Sequence, residues 1–435
     1  MRALLAVTSL LLSTALLLIG QGMQLTLLPL RASANGLSDF MVGISASFYF
    51  LGFIAGCLGI PAIIARVGHI RSFSVLTAIM ISAILCLEML DHWLALMILR
   101  FLAGVAIAGL YTVIESWLNS QATAGSRGRI LASYTFILLL SMAVGQLLIN
   151  VGPIETSTPF TLAAVFMALA IIPVGMTSRL APAPLESHRV RFGLLYQRSR
   201  SAFAGALLSG LVVGSFWSLG AVFAQRYSAS QLDVTWFIGT AIIGGALLQY
   251  PIGWLSDRID RRRVMVLLCI GGAATSAAVA LTPQHAWHLL AVFLFGAMVM
   301  PIYAIALATA ADVSSGSEFV EIGTSVLLLN ALGSVSAPLL LGRLMTQYDA
   351  TALFWSFTAL CLLFTVYLVF QLREERAVTV EEQTPFSAVA PEVAPASFEF
   401  DPRGPDSEPG DQETGLAPAR AAKTGGREPP AAGGL

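Results

Sequence analysis

Long, uninterrupted apolar runs constrain this chain more than any other feature. Of its 435 residues, 56% are hydrophobic and 11% are charged, whereas an ordinary soluble domain carries roughly 25% charged residues. A bilayer core of about 30 Å takes roughly 20 apolar residues as a helix, and backbone groups inside it need internal partners. The runs lack the alternation of a barrel strand. The chain is therefore predicted to be an all-α membrane protein.

Twelve runs are long enough to cross a bilayer. We expect spans over about 4–30, 39–64, 72–90, 93–117, 130–151, 158–177, 202–225, 233–255, 264–283, 287–311, 321–345 and 351–371. The first run exceeds the apolar region of a signal peptide, so it is interpreted as a transmembrane helix. The predicted domains are an N-terminal six-helix bundle (1–177), a cytoplasmic central loop with a short interfacial helix (178–201), a C-terminal six-helix bundle (202–371) and a disordered acidic cytoplasmic tail (372–435).

Arginines fall mainly on one side of this map. With the N-terminus inside, the inner side receives Arg2, Arg66, Arg71, Arg127, Arg129, the arginines of 178–201, Arg258, Arg261, Arg262, Arg263, Arg373 and Arg376. The outer loops receive Arg31, Arg226 and Arg343. Cytoplasmic loops carry the excess of positive charge in membrane proteins, so both termini are predicted to be cytoplasmic.

The two halves of the map repeat. A shift of 192 residues places Gly104 on Gly296 and Tyr111 on Tyr303, and the same shift pairs glycines of the first and second spans with glycines of the seventh and eighth. A constant offset across several helices indicates two pseudo-symmetric bundles. Matching halves of a transporter commonly meet at a substrate site near the middle of the membrane.

The segment GWLSDRIDRRR (253–263) places six charged residues between the eighth and ninth spans. It resembles the loop signature of the major facilitator superfamily, with Gly253, Asp257, Arg258, Arg261 and Arg262 at matching positions. Asp260 stands where that signature usually has glycine. RFLAG (100–104) is similar to the arginine-glycine motif of the family's fourth helix, and YTVIESWLN (111–119) resembles the YcaD-like bacterial subgroup. The resemblance implies the fold of that superfamily, with twelve helices in two six-helix bundles, in a bacterial inner membrane.

Two roles remain open for this segment. The arginines can anchor the loop on the cytoplasmic side, and that alone would explain the charge. Alternatively, Asp257 with Gly253 and the neighbouring arginines forms a gating latch, in which the carboxylate contacts the start of the fifth helix when the cytoplasmic side is closed. Such a contact is worth about 0.3–2 kcal/mol. The acidic loop with Asp312 is expected to pair with the arginines.

The fourth span carries a polar stripe. Arg100, Tyr111 and Glu115 lie on one side of an otherwise apolar helix at 3.6 residues per turn. A charge within the hydrocarbon costs about 2.5–3.5 kcal/mol or more, so these residues are expected to face a cavity or a partner. Arg100 is either a structural tether or a contact for an anionic substrate or a coupled proton. Glu115 is either a structural partner for an inner-loop arginine such as Arg127 or Arg129, or a functional group that carries a proton or contacts a cation of the substrate.

Other polar residues inside spans are candidates for a substrate cavity, although each alone is more often a contact between helices. They are Gln21, Gln24, Tyr49, Tyr111, Gln146, Asn150, Trp217, Gln249, Tyr250, Tyr303 and Asn330. They fall on the helices that line the cavity in the family that the chain resembles.

Missing motifs narrow the function. The chain has no ATP-binding loop and no hydrolase signature, and its four cysteines lack metal-site spacing. We therefore expect no enzyme activity, cofactor or metal, and no basic surface suggests nucleic acid. The predicted function is secondary active transport of a small solute by a monomer, coupled to protons, with export favoured over uptake. The alternative is a non-transporting membrane sensor built on a transporter bundle.

Overall fold

The computed structural model describes residues 2–90, 92–121, 127–176, 190–228, 230–282, 287–314, 316–375 and 378–387, together with Pro395 and Phe398. Twelve helices in this part of the chain are long and apolar enough to cross a membrane. They are α1 (Arg2–Ala34), α2 (Asp39–Val67), α3 (His69–Met89), α4 (Trp93–Gln121), α5 (Arg127–Leu148), α6 (Thr158–Gly175), α7 (Arg200–Tyr227), α8 (Gln231–Ser256), α9 (Arg261–Leu281), α10 (His288–Ala311), α11 (Gly316–Gln347) and α12 (Ala352–Glu374). The predicted fold class and number of spans are confirmed.

The helix ends define two faces of the molecule. We call the face with the α2–α3 turn, the α8–α9 loop and the end of α12 the basic face, and the other the opposite face. The predicted short helix of the central loop is present at the basic face as Phe192–Arg198. Residues 177–189 of the connection between the halves, and 399–435 of the tail, lie outside the described residues, so the predicted extent of both segments is untested.

Glycine contacts repeat between the halves with the offset seen in the sequence. At Gly52 of α2, an added Cβ would lie 2.0 Å from the carbonyl oxygen of Phe101 in α4. At Gly244 of α8, it would lie 2.1 Å from that of Phe293 in α10. The contacts Gly104–Tyr49 and Gly296–Ala241 repeat in the same way, as do Gly22–Met142 and Gly214–Ser334. Small residues let helix backbones approach closely in a membrane, so the repeat preserves the packing of α2 on α4 and of α8 on α10.

Polar contacts join the two halves at the opposite face. The Arg226 guanidinium at the end of α7 donates to both carboxylate oxygens of Asp39 at the start of α2, at 2.8 and 3.0 Å. The Asn150 amide near the end of α5 donates to the Thr235 hydroxyl of α8 at 2.9 Å. The Ser47 hydroxyl of α2 donates to the Val335 carbonyl of α11 at 2.6 Å. The halves are therefore held together on this side of the molecule.

Part of the predicted disordered tail lies folded against the second half. Residues 378–387 contact the α8–α9 loop, and Phe398 is fully buried beside α11. The tail's richness in Pro, Ala and Glu favoured disorder, but these contacts use backbone groups and isolated aromatic rings, which composition does not reveal.

Candidate functional site

A narrow cavity of about 50 Å³ lies between the two halves. It is lined by α1, α2 and α4 of the first half and by α7 and α11 of the second. The lining residues are Gln21, Leu25, Tyr49, Phe50, Phe53, Tyr111, Val213, Gly214, Trp217, Leu327, Asn330, Ala331 and Ser334. Five predicted cavity residues, Gln21, Tyr49, Tyr111, Trp217 and Asn330, meet here.

The cavity wall offers one hydrogen-bond donor and one acceptor that no described residue uses. The Gln21 amide nitrogen donates to the Tyr49 hydroxyl oxygen at 2.8 Å, which leaves the Gln21 amide oxygen buried without a partner among the described residues. The Trp217 indole nitrogen is likewise buried and unpartnered within this part of the chain. Buried polar groups normally have partners, so a solute or water in the cavity has two polar groups to contact.

Arg100 lies directly behind this wall. Its side chain is buried, and the guanidinium carbon lies 4.4 Å from the centroid of the Tyr49 ring. Its Nε and Nη1 atoms have no hydrogen-bond partner among the described residues. A cation over an aromatic face gains about 0.5–2 kcal/mol, less than the cost of a charge in the hydrocarbon. Arg100 thus brings an incompletely compensated positive charge close to the cavity.

Glu115 lies farther along α4, toward the basic face, and is completely buried. The Tyr134 hydroxyl of α5 donates to its carboxylate at 3.0 Å. One residue on, the Ser116 hydroxyl lies 2.8 Å from Nε2 of His69. The side chains of residues 127–129, which include the predicted arginine partners of Glu115, lie outside the described part. The polar stripe on α4 therefore has one end behind the cavity and the other among helices of the first half.

The other predicted cavity residues lie elsewhere. The Gln146 amide binds Thr26 and the Gly22 carbonyl, at 2.7 and 2.8 Å, and so joins α5 to α1. Asn150 joins the halves at the opposite face. The remaining four also lie outside the cavity lining: Gln24 and Tyr303 are completely buried, Gln249 is half-buried and Tyr250 is 79% exposed.

The sequence analysis missed the apolar part of the lining and the partner of Glu115. Phe50 and Phe53 line the cavity together with Tyr49 of α2. In the sequence of a membrane helix, an apolar residue that faces a cavity cannot be distinguished from one that faces lipid. Tyr134 gave only a weak signal, because its hydroxyl is one of several inside the fifth span. Local structure does mark the second half's wall, because α7 widens to a π-helical turn at Gly210–Gly214, and such turns are frequent at functional sites.

The predicted latch residues form a network at the basic face. The Arg261 guanidinium is buried and lies 2.9 Å from the Asp257 carboxylate and 3.1 Å from that of Asp312. The expected pairing of the acidic loop with the arginines is thus present for Asp312. Gly253 is buried beneath the tail residue Phe386. Exposed Arg258 lies over the Trp254 ring, at 3.6 Å from its centroid.

Among the described side chains of α5, none contacts Asp257 in this conformation. Besides Arg261, its carboxylate accepts the backbone N–H of Phe386 at 3.1 and 3.2 Å. The contact with α5 stays a prediction for a conformation closed at the basic face.

Asp260, which departs from the family's loop pattern, begins α9. Its carboxylate caps the helix by accepting the backbone N–H of Arg262 at 2.9 Å, and it pairs with the Arg262 guanidinium at 2.6 Å. Burial raises the pKa of Asp260, but the hydrogen bonds from Arg262 and the charges of Arg262 and Arg263 together leave it below its ordinary value. Aspartate is a favoured N-cap, so the substitution for glycine stabilises the helix start.

Solved transporter structures share this fold. The nucleoside transporter NupG covers 85% of this chain and 100% of its own length with a TM-score of 0.73 and 11% identity. A bacterial homologue of the human lysosomal transporter Spinster, in an inward-facing and occupied conformation, covers 87% of this chain and 97% of its own, with a TM-score of 0.67 and 15% identity. Identities this low show the fold alone.

Proteins with similar sequences identify the family of this chain. An uncharacterized MFS-type transporter of Yersinia enterocolitica is 29% identical over 373 residues, covering 84% of this chain and 93% of the relative. The uncharacterized MFS-type transporter YcaD of Escherichia fergusonii is 28% identical over 358 residues, covering 81% and 91%. The sequence profile of the Major Facilitator Superfamily matches residues 10–194 and 202–400. With its twelve spans and central cavity, the chain belongs to the Major Facilitator Superfamily, a family of membrane transporters.

Proposed function

We propose that this chain is a secondary active transporter that moves a small solute by alternating access. The observation that carries the proposal is the cavity between the two halves, together with polar contacts that join those halves at the opposite face. Because the halves are joined at the opposite face, the route between the cavity and water leads toward the basic face. The arginine distribution favours a cytoplasmic basic face, with the protein in a bacterial inner membrane.

The cavity wall favours a small amphipathic solute. Tyr49, Phe50 and Trp217 supply aromatic surface, and Gln21 and Trp217 supply an acceptor and a donor. Arg100 behind Tyr49 would stabilise an anionic group or a proton-dependent charge change in the solute's site. A cavity with mostly apolar walls suits compounds that already partition into membranes, which favours export over uptake.

Proton coupling is assigned to the polar stripe on α4. A buried carboxylate such as Glu115 can bind and release a proton as its surroundings change between two conformations. Tyr134 stabilises the charged form by donating to it. The alternative for Glu115 is a structural ion pair with an arginine of residues 127–129.

The test begins with a ligand found by thermal-shift screening of the purified protein. Flux of that ligand is then measured in proteoliposomes with and without an imposed pH gradient, for the wild type, Glu115→Gln and Tyr134→Phe. We expect gradient-driven flux in the wild type. Glu115→Gln should lose the gradient dependence, while Tyr134→Phe, which keeps the carboxylate, should retain it with a shifted pH optimum.

Two results would contradict parts of this proposal. Ligand flux by Glu115→Gln with unaltered gradient dependence would remove Glu115 from the coupling role. Ligand binding without flux in the wild type and in the chain ending at residue 377 would favour the alternative function, a membrane sensor.

A further inference from the structure

The C-terminal segment contacts the network of charged residues at the basic face. The Thr384 backbone N–H and hydroxyl both donate to Asp312, each at 2.9 Å. The Thr384 carbonyl accepts from Arg261. Two residues on, the Phe386 backbone N–H donates to Asp257. The segment therefore binds the three side chains that hold the α8–α9 loop to the end of α10.

Two aromatic rings of the segment pack against glycines. A Cβ at Gly253 of α8 would lie 2.2–2.8 Å from ring atoms of Phe386, and one at Gly323 of α11 would lie 2.9–3.0 Å from the ring of Phe398. The Phe398 ring is fully buried and meets Phe319 edge to face, with centroids 6.1 Å apart. A ring that covers a glycine in this way leaves no room for a side chain, so α8 and α11 are shaped to receive it.

Gly323, which the Phe398 ring covers, lies between the cavity residues of α11 and the basic face. Gly323 precedes the cavity residues Leu327, Asn330 and Ser334 by four, seven and eleven positions, which places all four on one side of α11. Gly323 lies one turn nearer the basic face than Leu327, a distance of about 6 Å along the axis. The Phe398 ring thus covers the cavity-facing side of α11 just beyond the cavity.

We propose that the basic face of the second half is a docking site for this chain's own C-terminal segment, bound through residues 378–387 and Phe398, and that the docked Phe398 blocks access to the cavity. Thr384 and Phe386 hold the segment on Asp312, Arg261 and Asp257, and Phe398 covers the exit. The docked segment also occupies Asp257, which then cannot reach α5. Release of the segment would both open the cavity and free the carboxylate for the predicted latch. The proposal does not depend on which solute is transported.

Accessibility of a single cysteine tests this proposal without a ligand. Leu327→Cys is introduced into a chain whose four native cysteines are replaced by alanine, and its reaction with a polar maleimide is timed in lipid nanodiscs. The full-length chain should react slowly. Phe398→Ala, Thr384→Ala and a chain ending at residue 377 should each react about three- to tenfold faster, the factor expected for the loss of one or two net contacts. A synthetic peptide of residues 378–400 should slow the reaction of the shortened chain.

Matched controls separate docking from damage to the fold. Thr379→Ala changes an exposed threonine of the same segment that does not contact Asp312, and Phe370→Ala removes a 60% exposed ring from α12. Both should react like the parent chain. Equal rates in the parent, Phe398→Ala and the shortened chain would overturn the proposal. So would a peptide that leaves the reaction of a monodisperse shortened chain unchanged.

Discussion

The guanidinium of Arg100 lies 4.4 Å from the centroid of the Tyr49 ring, and that ring forms part of the cavity wall. Tyr49 in turn accepts a hydrogen bond from Gln21, another wall residue. A charge from α4 is thereby coupled to the solute's surroundings through one aromatic ring. From this position, the charge of Arg100 can interact electrostatically with a solute in the cavity.

Replacing Arg100 should lower transport without lowering the stability of the protein. Arg100→Met keeps an unbranched, flexible side chain and removes a buried charge that is poorly compensated, so we expect the melting temperature to be unchanged or higher. Ligand binding and flux should fall by at least about tenfold, because the charge near the cavity is lost. Tyr49→Phe is the matched control, since it keeps the ring under the guanidinium and removes the hydroxyl that accepts from Gln21. If Arg100→Met instead melts much lower, Arg100 is a structural tether.

The ion pair Asp39–Arg226 should bias the conformational equilibrium. Asp39 is buried and Arg226 is half-exposed, and they join the two halves at the opposite face. Asp39→Asn weakens this contact by about 1 kcal/mol, which would raise the population open at the opposite face about fivefold. Glu155 of the first half and Leu232 of the second are both exposed at this face. Spin labels on these two positions should show an additional population at longer distance by pulsed electron paramagnetic resonance.

A second ion pair provides the control for that measurement. Arg200 and Glu374 form an exposed pair, 2.9 Å apart, inside the second half. Glu374→Gln should leave the distance distribution between Glu155 and Leu232 unchanged. A distribution that is the same in Asp39→Asn and in the wild type would show that the pair does not hold this face closed.

The repeated glycine contacts should be equally intolerant of a side chain. In both Gly104→Ala and Gly296→Ala, the new Cβ would meet a carbonyl oxygen at 2.0 Å, so each should destabilise the protein by about 1–3 kcal/mol. Gly59→Ala and Gly239→Ala are matched controls, because nothing lies within 4 Å of their added Cβ atoms. Thermal melting of the four variants checks the prediction. A loss in only one of the first two would mean that the halves do not share this packing.

Acid should remove the stabilisation that Asp260 contributes to α9. The pKa of this carboxyl is lower in the folded protein than its ordinary value of 3.8, so its contribution is complete above that value and is lost as the pH falls further. Wild type should therefore melt higher than Asp260→Asn at about pH 5, and the difference should shrink below about pH 4. A difference that stays constant down to about pH 3 would show that the carboxylate's charge is not responsible.

The sequence was sufficient to predict the spans and the repeat because both depend on hydrophobic length and residue spacing. It also named Gln21, Tyr49 and Trp217 as cavity candidates, since polar groups inside spans usually face a cavity or a partner. It could not separate Gln146 from these. An amide that joins two helices and an amide that faces a solute are the same residue type at the same depth within a span, so the sequence does not distinguish them.

The docking of the tail was beyond the sequence for a different reason. Thr384 binds partly through its backbone, which every residue possesses, and Phe386 and Phe398 are isolated rings in a polar segment. Their binding sites are glycines, Gly253 and Gly323, whose significance appears only when a ring is seen against them. The expected role of Asp257 depended on α5, and its tail partner had no signal in the sequence.

Alternating access is tested most directly by asking from which face the cavity can be reached. Ala331→Cys places a thiol in the cavity wall of a Phe398→Ala chain that has no other cysteine. The thiol is labelled with a membrane-impermeant maleimide, separately in right-side-out and in inside-out vesicles. The account predicts labelling from either face. Asp39→Asn should accelerate labelling from the opposite face and slow it from the basic face. Labelling from one face only, with no reciprocal change in Asp39→Asn, would contradict the account.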